Sequence, residues 1–266
     1  MNNLSMRLKG CALAGLTALA VALTVGGAAA QDRMKLKIAV EGTYAPFNYM
    51  TSDGQLKGFD VDIAKALCEE MQADCEFVTQ DWDGMIPALQ AGKFDAIIAS
   101  MSITDERKQQ VDFSEKYYST PPAIVVPVDS DIAGVSKEDM AGKIIGAQAS
   151  TTHAQYAETI FPDSSIQLYP TAEEYQLDMV NGRLDAVIDD VIVLDQWLNT
   201  DEGECCQLLD TLPAPQEIYG EGIGVAVQKG NDALREKFNV AIKAIRDNGK
   251  YKTINDEYFS VDVYGE

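Results

Sequence analysis

Arg107 is the residue of this chain best suited to grip an anion. It follows Ser100-Met101-Ser102-Ile103-Thr104 and opens a helix-like stretch. A guanidinium can hold a carboxylate through two parallel hydrogen bonds, and nearby hydroxyls and backbone N–H groups add donors. The plainer alternative is a surface arginine paired with Asp105 or Glu106. Ser150-Thr151-Thr152 is a second anion-facing segment, able to cap a helix and offer its free N–H groups, or to serve as an ordinary N-cap. Asp190 supplies the opposite charge, for an ammonium or for a helix cap, while Asp189 fits a cap or a solvent-facing neighbour better. Glu41 can meet a cationic side-chain end or sit solvated in a loop. The faces of Tyr44 and Trp82 can sandwich an alkyl or guanidinium group, worth ~0.5–2 kcal/mol. Core packing is the alternative for both, and the stronger one for Phe47. Carboxylate, ammonium and side-chain readers together describe the demands of a free amino acid.

The rest of the chemistry is sparse. His153 is the sole histidine. There is no Gly-x-Ser-x-Gly, no phosphate-binding loop and no convincing cluster of metal ligands, so neither a cofactor nor a metal is expected.

These residues need elements to hold them. Lys35–Val40 and Cys75–Thr79 read as strands. Asp60 is placed to cap a helix over Val61–Met71, and Asp83 to cap one ending at Gly92. Phe94–Ala99 is an apolar strand of the kind buried on both faces of a parallel sheet. Residues 91–98, Ala-Gly-Lys-Phe-Asp-Ala-Ile-Ile, are echoed at 181–188 by Asn-Gly-Arg-Leu-Asp-Ala-Val-Ile. Lys35–Val40 and Lys143–Ala147 form a second pair, each a strand leading into a polar turn. Two similar α/β units follow. Open α/β sheets bind ligands beyond the carboxyl ends of their strands, which brings Glu41–Tyr44, Ser100–Ser102, Ser150–His153 and Asp189-Asp190 to one predicted cleft. A strand over Gly222–Val227, an amphipathic helix over Asp232–Arg246 and a further helix through Tyr258 should return to the first unit.

Bulk properties agree with an exported binder. Arg7 and Lys9, an apolar run from Cys11 to Val25 and Ala28-Ala29-Ala30 read as a signal peptide, residues 1–30, leaving a mature chain from Gln31 in the periplasm. The net charge is −21, and the signal removes only basic residues. Such a surface argues against nucleic acid and favours cationic solutes. Cys68, Cys75, Cys205 and Cys206 remain. Cys68, late in a helix, and Cys75, early in a strand, could close a short loop. Cys205 and Cys206 could bond each other or stay thiols; zinc is disfavoured by the missing histidines and C-x-x-C spacing.

The chain resembles the polar amino-acid-binding proteins of ATP-driven (ABC) importers, the histidine, lysine-arginine-ornithine and arginine/ornithine group of solute-binding family 3. Gly42–Phe47, Gly58–Cys68, Ser100–Arg107, Gly182–Asp185 and Asp262–Gly265 carry the resemblance. It implies a two-lobed type II periplasmic-binding-protein fold. Each lobe is then a mostly parallel sheet flanked by helices, with two hinge crossings. Lobe 1 spans 31–120 plus 218–266, and lobe 2 spans 121–217. It also implies capture of a basic L-amino acid and delivery to permease subunits in the inner membrane. Arg107, with Ser102 and Thr152, would take the α-carboxylate. Asp190 and Ser100 would take the α-ammonium, Tyr44 and Trp82 the side chain and Glu41 its distal cation. Met101, Ser150 and Thr151 complete the expected site, and Cys68–Cys75 matches a family disulfide. Ala99 and His153 stand where some members have serine and glutamine. Opine-binding proteins share Trp82-Asp83-Gly84 and the acid at Glu41. Cyclohexadienyl dehydratases share the fold as enzymes.

Overall fold

A computed structural model describes residues 33–265, so the expected signal peptide and its cleavage site lie outside the described residues. In chain order come β1 (Met34–Val40), β2 (Thr43–Tyr44), β3 (Asn48–Met50), β4 (Leu56–Lys57), α1 (Phe59–Glu70) and β5 (Ala73–Thr79). Then follow α2 (Met85–Gln90), β6 (Ala96–Ile97), α3 (Asp105–Lys108) and β7 (Val111–Tyr118). The middle of the chain forms β8 (Pro122–Pro127), α4 (Lys137–Met140), β9 (Ile144–Gln148), α5 (Thr152–Ile160), β10 (Ser165–Tyr169), α6 (Ala172–Val180), β11 (Ala186–Asp190), α7 (Val191–Leu198) and β12 (Cys206–Thr211). The end forms α8 (Gln216–Tyr219), β13 (Ile223–Gln228), α9 (Asp232–Asp247) and α10 (Lys250–Tyr258).

Two five-stranded sheets share one plan. The first has the order β5-β1-β6-β13-β7, the second β10-β9-β11-β8-β12. In the first, β1 pairs parallel with β5 and β6, and β13 antiparallel with β6 and β7. In the second, β9 pairs parallel with β10 and β11, and β8 antiparallel with β11 and β12. Each sheet therefore has four strands running one way and one against them. The contrary strand is in each case the first formed after the chain crosses over. The crossings are Ser119-Thr120-Pro121 and the segment between Thr211 and Ile223. This is the bilobed arrangement expected.

The repeated octapeptide does the same structural job twice. Gly92 (φ +70°) and Gly182 (φ +68°) take the left-handed conformation that ends α2 and α6. Gly92 N donates to Leu89 O and Lys93 N to Ala88 O, and Gly182 N donates to Met179 O and Arg183 N to Asp178 O. The aspartates then clamp the neighbouring strand. Asp95 Oδ2 accepts from Lys37 N at 2.7 Å, and Asp185 Oδ2 from Ile144 N at 2.7 Å. Each clamp enters a strand whose residues are wholly buried, β6 and β11. Those strands end at the cleft, so the repeat sets how far each strand end projects into it.

Two expected helix caps are corrected. The first helix begins at Phe59 with Gly58 at its N-cap, so Asp60 lies inside the first turn. Its carboxylate turns inward to Asn48, Ser100 and Tyr117. Asp83 caps nothing, because a short 3-10 turn, Trp82–Gly84, precedes α2. The Phe94–Ala99 strand is shorter than expected, with only Ala96 and Ile97 in the ladder.

α9 packs Leu234, Phe238, Ala241, Ile242 and Ile245 inward, and one apolar cluster continues from these to Phe47, Tyr118 and, across the crossing, Tyr175 and Trp197. Cys68 is bonded to Cys75, tying the end of α1 to β5, and Cys205 to Cys206. Among the described residues, no helix is long and apolar enough to cross a membrane. Loop-closure entropy predicts that replacing Cys68 and Cys75 together by serine lowers the unfolding free energy by ~2.5 kcal/mol in a urea titration. A loss below about 0.5 kcal/mol would mean that helix–strand packing already restrains this loop in the unfolded chain.

Candidate functional site

A small cavity lies where the strand ends of the two sheets face each other. Glu41, Tyr44, Trp82, Ala99, Ser100, Ser102 and Arg107 line it from the first lobe, and Gln148, Thr151, Thr152 and His153 from the second. Glu41 follows β1, Ser100 follows β6, and Gln148 ends β9. These are strand-end positions, the ones an open α/β sheet offers to a ligand.

Local sequence explains how each is held. Thr104 caps α3, accepting from Arg107 N, and so places Arg107 in the first turn of that helix. Thr151 caps α5, accepting from Ala154 N at 3.1 Å. Ser100 (φ +56°) and Ser150 (φ +59°) both take the left-handed backbone conformation that non-glycine residues rarely adopt. Such strain is concentrated at functional sites, and here it stands at matching turns of the two lobes. Beneath Ser100, the fully buried Asp60 accepts from Ser100 Oγ at 2.9 Å, Asn48 Nδ2 at 2.8 Å and Tyr117 Oη at 2.8 Å. Asn48 Oδ1 in turn accepts from Glu41 N and Gly42 N. One buried carboxylate thus fixes two walls of the cavity.

The lobes touch through polar groups around it. Gln148 Nε2 donates to Glu41 Oε1 at 2.6 Å, and Tyr44 Oη to Asp189 Oδ1 at 2.6 Å. Arg107 Nη2 at 3.0 Å and Trp82 Nε1 at 3.3 Å both donate to Ser150 O. Ser102 Oγ and Thr152 Oγ1 lie 3.4 Å apart. The Arg107 guanidinium stacks 5.2 Å from the centre of the Trp82 ring.

Charge is unevenly distributed. Arg107 is bonded to two carbonyl oxygens, Ser102 O and Ser150 O. Among the described residues no carboxylate comes within ion-pair distance of it. Burial lowers its pKa to about 10, so it is still a cation at neutral pH. Burial raises Glu41 to about 7 against the hydrogen bonds from Gln148 and Thr43. Burial likewise raises Asp190 to about 7 and Asp60 to about 6. His153 is pushed below its usual value by burial, against the pull of Asp189. The site therefore combines one guanidinium lacking an anion with carboxylates lacking a cation.

The other expected residues lie near the cavity without lining it. Met101 is buried in the apolar cluster under the first sheet with Ala39, Phe113 and Ala226. Ser150 is exposed, and its carbonyl is the acceptor shared by Arg107 and Trp82. Asp190 caps α7, accepting from Ile192 N, and binds the Thr120 hydroxyl of the first crossing. Asp189, expected to be a cap or to face solvent, is instead 1% exposed and accepts from Tyr44 and Tyr175. Gln148 was not foreseen, although the strand-end rule covers it. Asp60 carried no signal beyond a residue type that also suits caps. Among the described residues, no group of three or more His, Cys, Asp or Glu is arranged to hold a metal.

Known proteins share this architecture and much of this sequence. Residues 36–261 match the bacterial extracellular solute-binding proteins, family 3. The L-arginine-binding protein of Pseudomonas aeruginosa is 45% identical over 256 residues, covering 95% of this chain and 98% of that protein. The ABC transporter arginine-binding protein 1 of Escherichia coli K12 is 36% identical, covering 92% and 97%. A solved structure, an ancestral arginine-binding protein bound to arginine, superposes with a TM-score of 0.79 at 36% identity, covering 86% of this chain and 99% of that one.

The raised carboxyls make a prediction about pH. Glu41, Asp60 and Asp190 hold protons in the fold up to about 6 to 7, whereas in the unfolded chain they release them near about 4. Their contribution to stability is complete below the unfolded value and is lost as pH rises through the folded one. The ligand-stripped protein should melt at a higher temperature at pH 5 than at pH 8, and Asp60→Asn, which removes a carboxyl buried within the first lobe whether the cleft is open or shut, should flatten the slope. A melting temperature that climbs across this range would contradict the assignment.

Proposed function

The chain belongs to the bacterial extracellular solute-binding proteins of family 3, and from that premise we propose that it captures a basic L-amino acid, arginine foremost, in the periplasm for an ABC importer. The observation that carries this reading is the Arg107 guanidinium without a carboxylate partner, in one cleft with carboxyls without a cation, Glu41 on its own lobe and Asp190 on the other. A basic amino acid brings one carboxylate and two cations, which is the complement of that set. The arginine-binding names of the similar proteins support the same ligand class.

Arg107 takes the α-carboxylate in a forked pair, aided by the Ser102 and Thr152 hydroxyls and the N–H groups at the Thr151-capped start of α5. Ser100 and Asp190 take the α-ammonium; an ionised carboxyl has acceptor sites left beyond Thr120 and Ile192. The side chain lies against Tyr44 and Trp82, and its distal cation meets Glu41. Ser150 and Met101 support Arg107 and the first-lobe wall. The moving bodies are 31–120 with 218–266, and 121–217. Arg107 stands on the first and Asp190 on the second, so a zwitterion joins them only when the cleft shuts. That difference in contacts is what lets the ligand drive closure.

Protonation gives the sign of the pH effect. In the closed site Glu41 holds a proton below about 7, which a cationic ligand must displace. Arginine affinity should rise from pH 6 to pH 8. A thermal-shift panel on stripped protein tests the rest, since a ligand at 100 times its Kd stabilises by about 2.7 kcal/mol. Arg107→Ala should abolish every amino-acid response. Glu41→Gln should weaken arginine by about tenfold, the scale of one charge-assisted hydrogen bond, and leave citrulline nearly unchanged. Equal losses for both would refute the role given to Glu41. Prephenate and arogenate should be returned intact from incubation with the protein.

A further inference from the structure

Asp189 is almost fully buried at the lobe junction, yet it does not line the cavity. Four donors or potential donors converge on its carboxylate. Tyr44 Oη lies 2.6 Å from Oδ1, Asp190 N 2.7 Å from Oδ1, Tyr175 Oη 2.5 Å from Oδ2 and His153 Nε2 3.3 Å from Oδ1. Asp190, Tyr175 and His153 belong to the second lobe with Asp189, on β11, α6 and α5. Only Tyr44 comes from the first.

The two halves of this contact are each built in advance. On the second lobe, Tyr175 and the Asp190 amide fix the carboxylate, and His153 is steadied from its other side by Tyr219 of the second crossing, whose Oη is 3.3 Å from Nδ1. On the first lobe, the Tyr44 ring stacks on Phe47 with centroids 5.9 Å apart, and Phe47 stacks on Tyr118 at 4.7 Å. Tyr118 is the last residue of β7, where the chain leaves the first lobe. The hydroxyl is therefore carried on a pile of rings anchored at the hinge. Another short contact between the lobes, Gln148 to Glu41, differs in kind: both its side chains line the cavity, so a bound molecule competes for them.

We infer that Tyr44 and Asp189 form the latch of the closed state, a hydrogen bond from lobe to lobe that forms only on closure and sets how slowly the ligand leaves. The inference rests on the capture-by-closure reading above. Asp189 acts as a positioning residue, since it reaches the ligand only through Tyr44 and His153. A hydrogen bond to an ionised carboxylate is roughly twice as strong as a neutral one. Because it is absent while the cleft is open, its loss falls on dissociation and spares association.

Stopped-flow kinetics with L-arginine test the latch. Tyr44→Phe keeps the ring and removes the hydroxyl. It should raise the dissociation rate at least about tenfold while the association rate stays within about twofold. Asp189→Ala should act likewise, and the double variant should be little worse than either single one, because both remove the same bond. Tyr175→Phe removes a donor to the same carboxylate within one lobe. It should lower the melting temperature yet leave dissociation within about threefold, which separates latching from general loosening. Dissociation from Tyr44→Phe within twofold of the wild type, additive effects in the double variant, or an equal change in Tyr175→Phe would each overturn the latch while leaving amino-acid capture intact. Failure of the wild type to bind arginine or any other amino acid would overturn both.

Discussion

A half-buried guanidinium with no carboxylate within ion-pair distance is the costly element around which this protein is organised. A buried ion needs a partner, and carbonyl oxygens satisfy its hydrogen bonds without cancelling its charge. Arg107 is in that position, held by Ser102 O and Ser150 O and stacked on Trp82. Elsewhere in the cleft the mismatch is mirrored, with Glu41 and Asp190 drawn toward neutrality by burial. Neither side can relieve the other, because the carboxyls and the guanidinium are fixed on different strand ends. A molecule bearing a carboxylate at one end and cations elsewhere relieves both.

The duplicated architecture is what keeps Arg107 and Asp190 apart until closure. Two sheets of identical strand order present the same turns to one cleft, and the repeated Gly-x-x-Asp segments seat β6 and β11 by the same pair of hydrogen bonds to a neighbouring strand. Ser100 and Ser150 then make matching left-handed turns. From these equivalent positions the sequence has diverged in charge. The first lobe contributes the cation and the aromatic faces, the second the capped helix start and the paired aspartates. Ligand chemistry lives in that divergence, and the shared plan supplies the geometry.

Most of the frame was legible in the sequence. The octapeptide repeat announced two units, and strand-end logic led to Glu41, Ser100 and Thr152, whereas Arg107 rested on its guanidinium at a helix start and on the family resemblance. What stayed hidden were interactions between residues far apart in the chain. Asp60 carries the pattern of a helix cap, and only the fold shows that Asn48, Ser100 and Tyr117 turn it inward. Asp189 and Asp190 are adjacent, and no local rule separates them. Their roles differ because Tyr44 and Tyr175 meet one while Thr120 and the start of α7 meet the other. Asp83 failed as a cap because the chain inserts a 3-10 turn before α2, a choice that the tertiary position of Trp82 against Ser150 accompanies.

The central claim is that Arg107 awaits a carboxylate. Isothermal titration of the stripped protein with L-arginine and with agmatine, which is arginine lacking that group, isolates it. The account predicts that agmatine binds at least about a hundredfold more weakly, as expected when a buried charge loses its partner. Equal affinity for the two would contradict it.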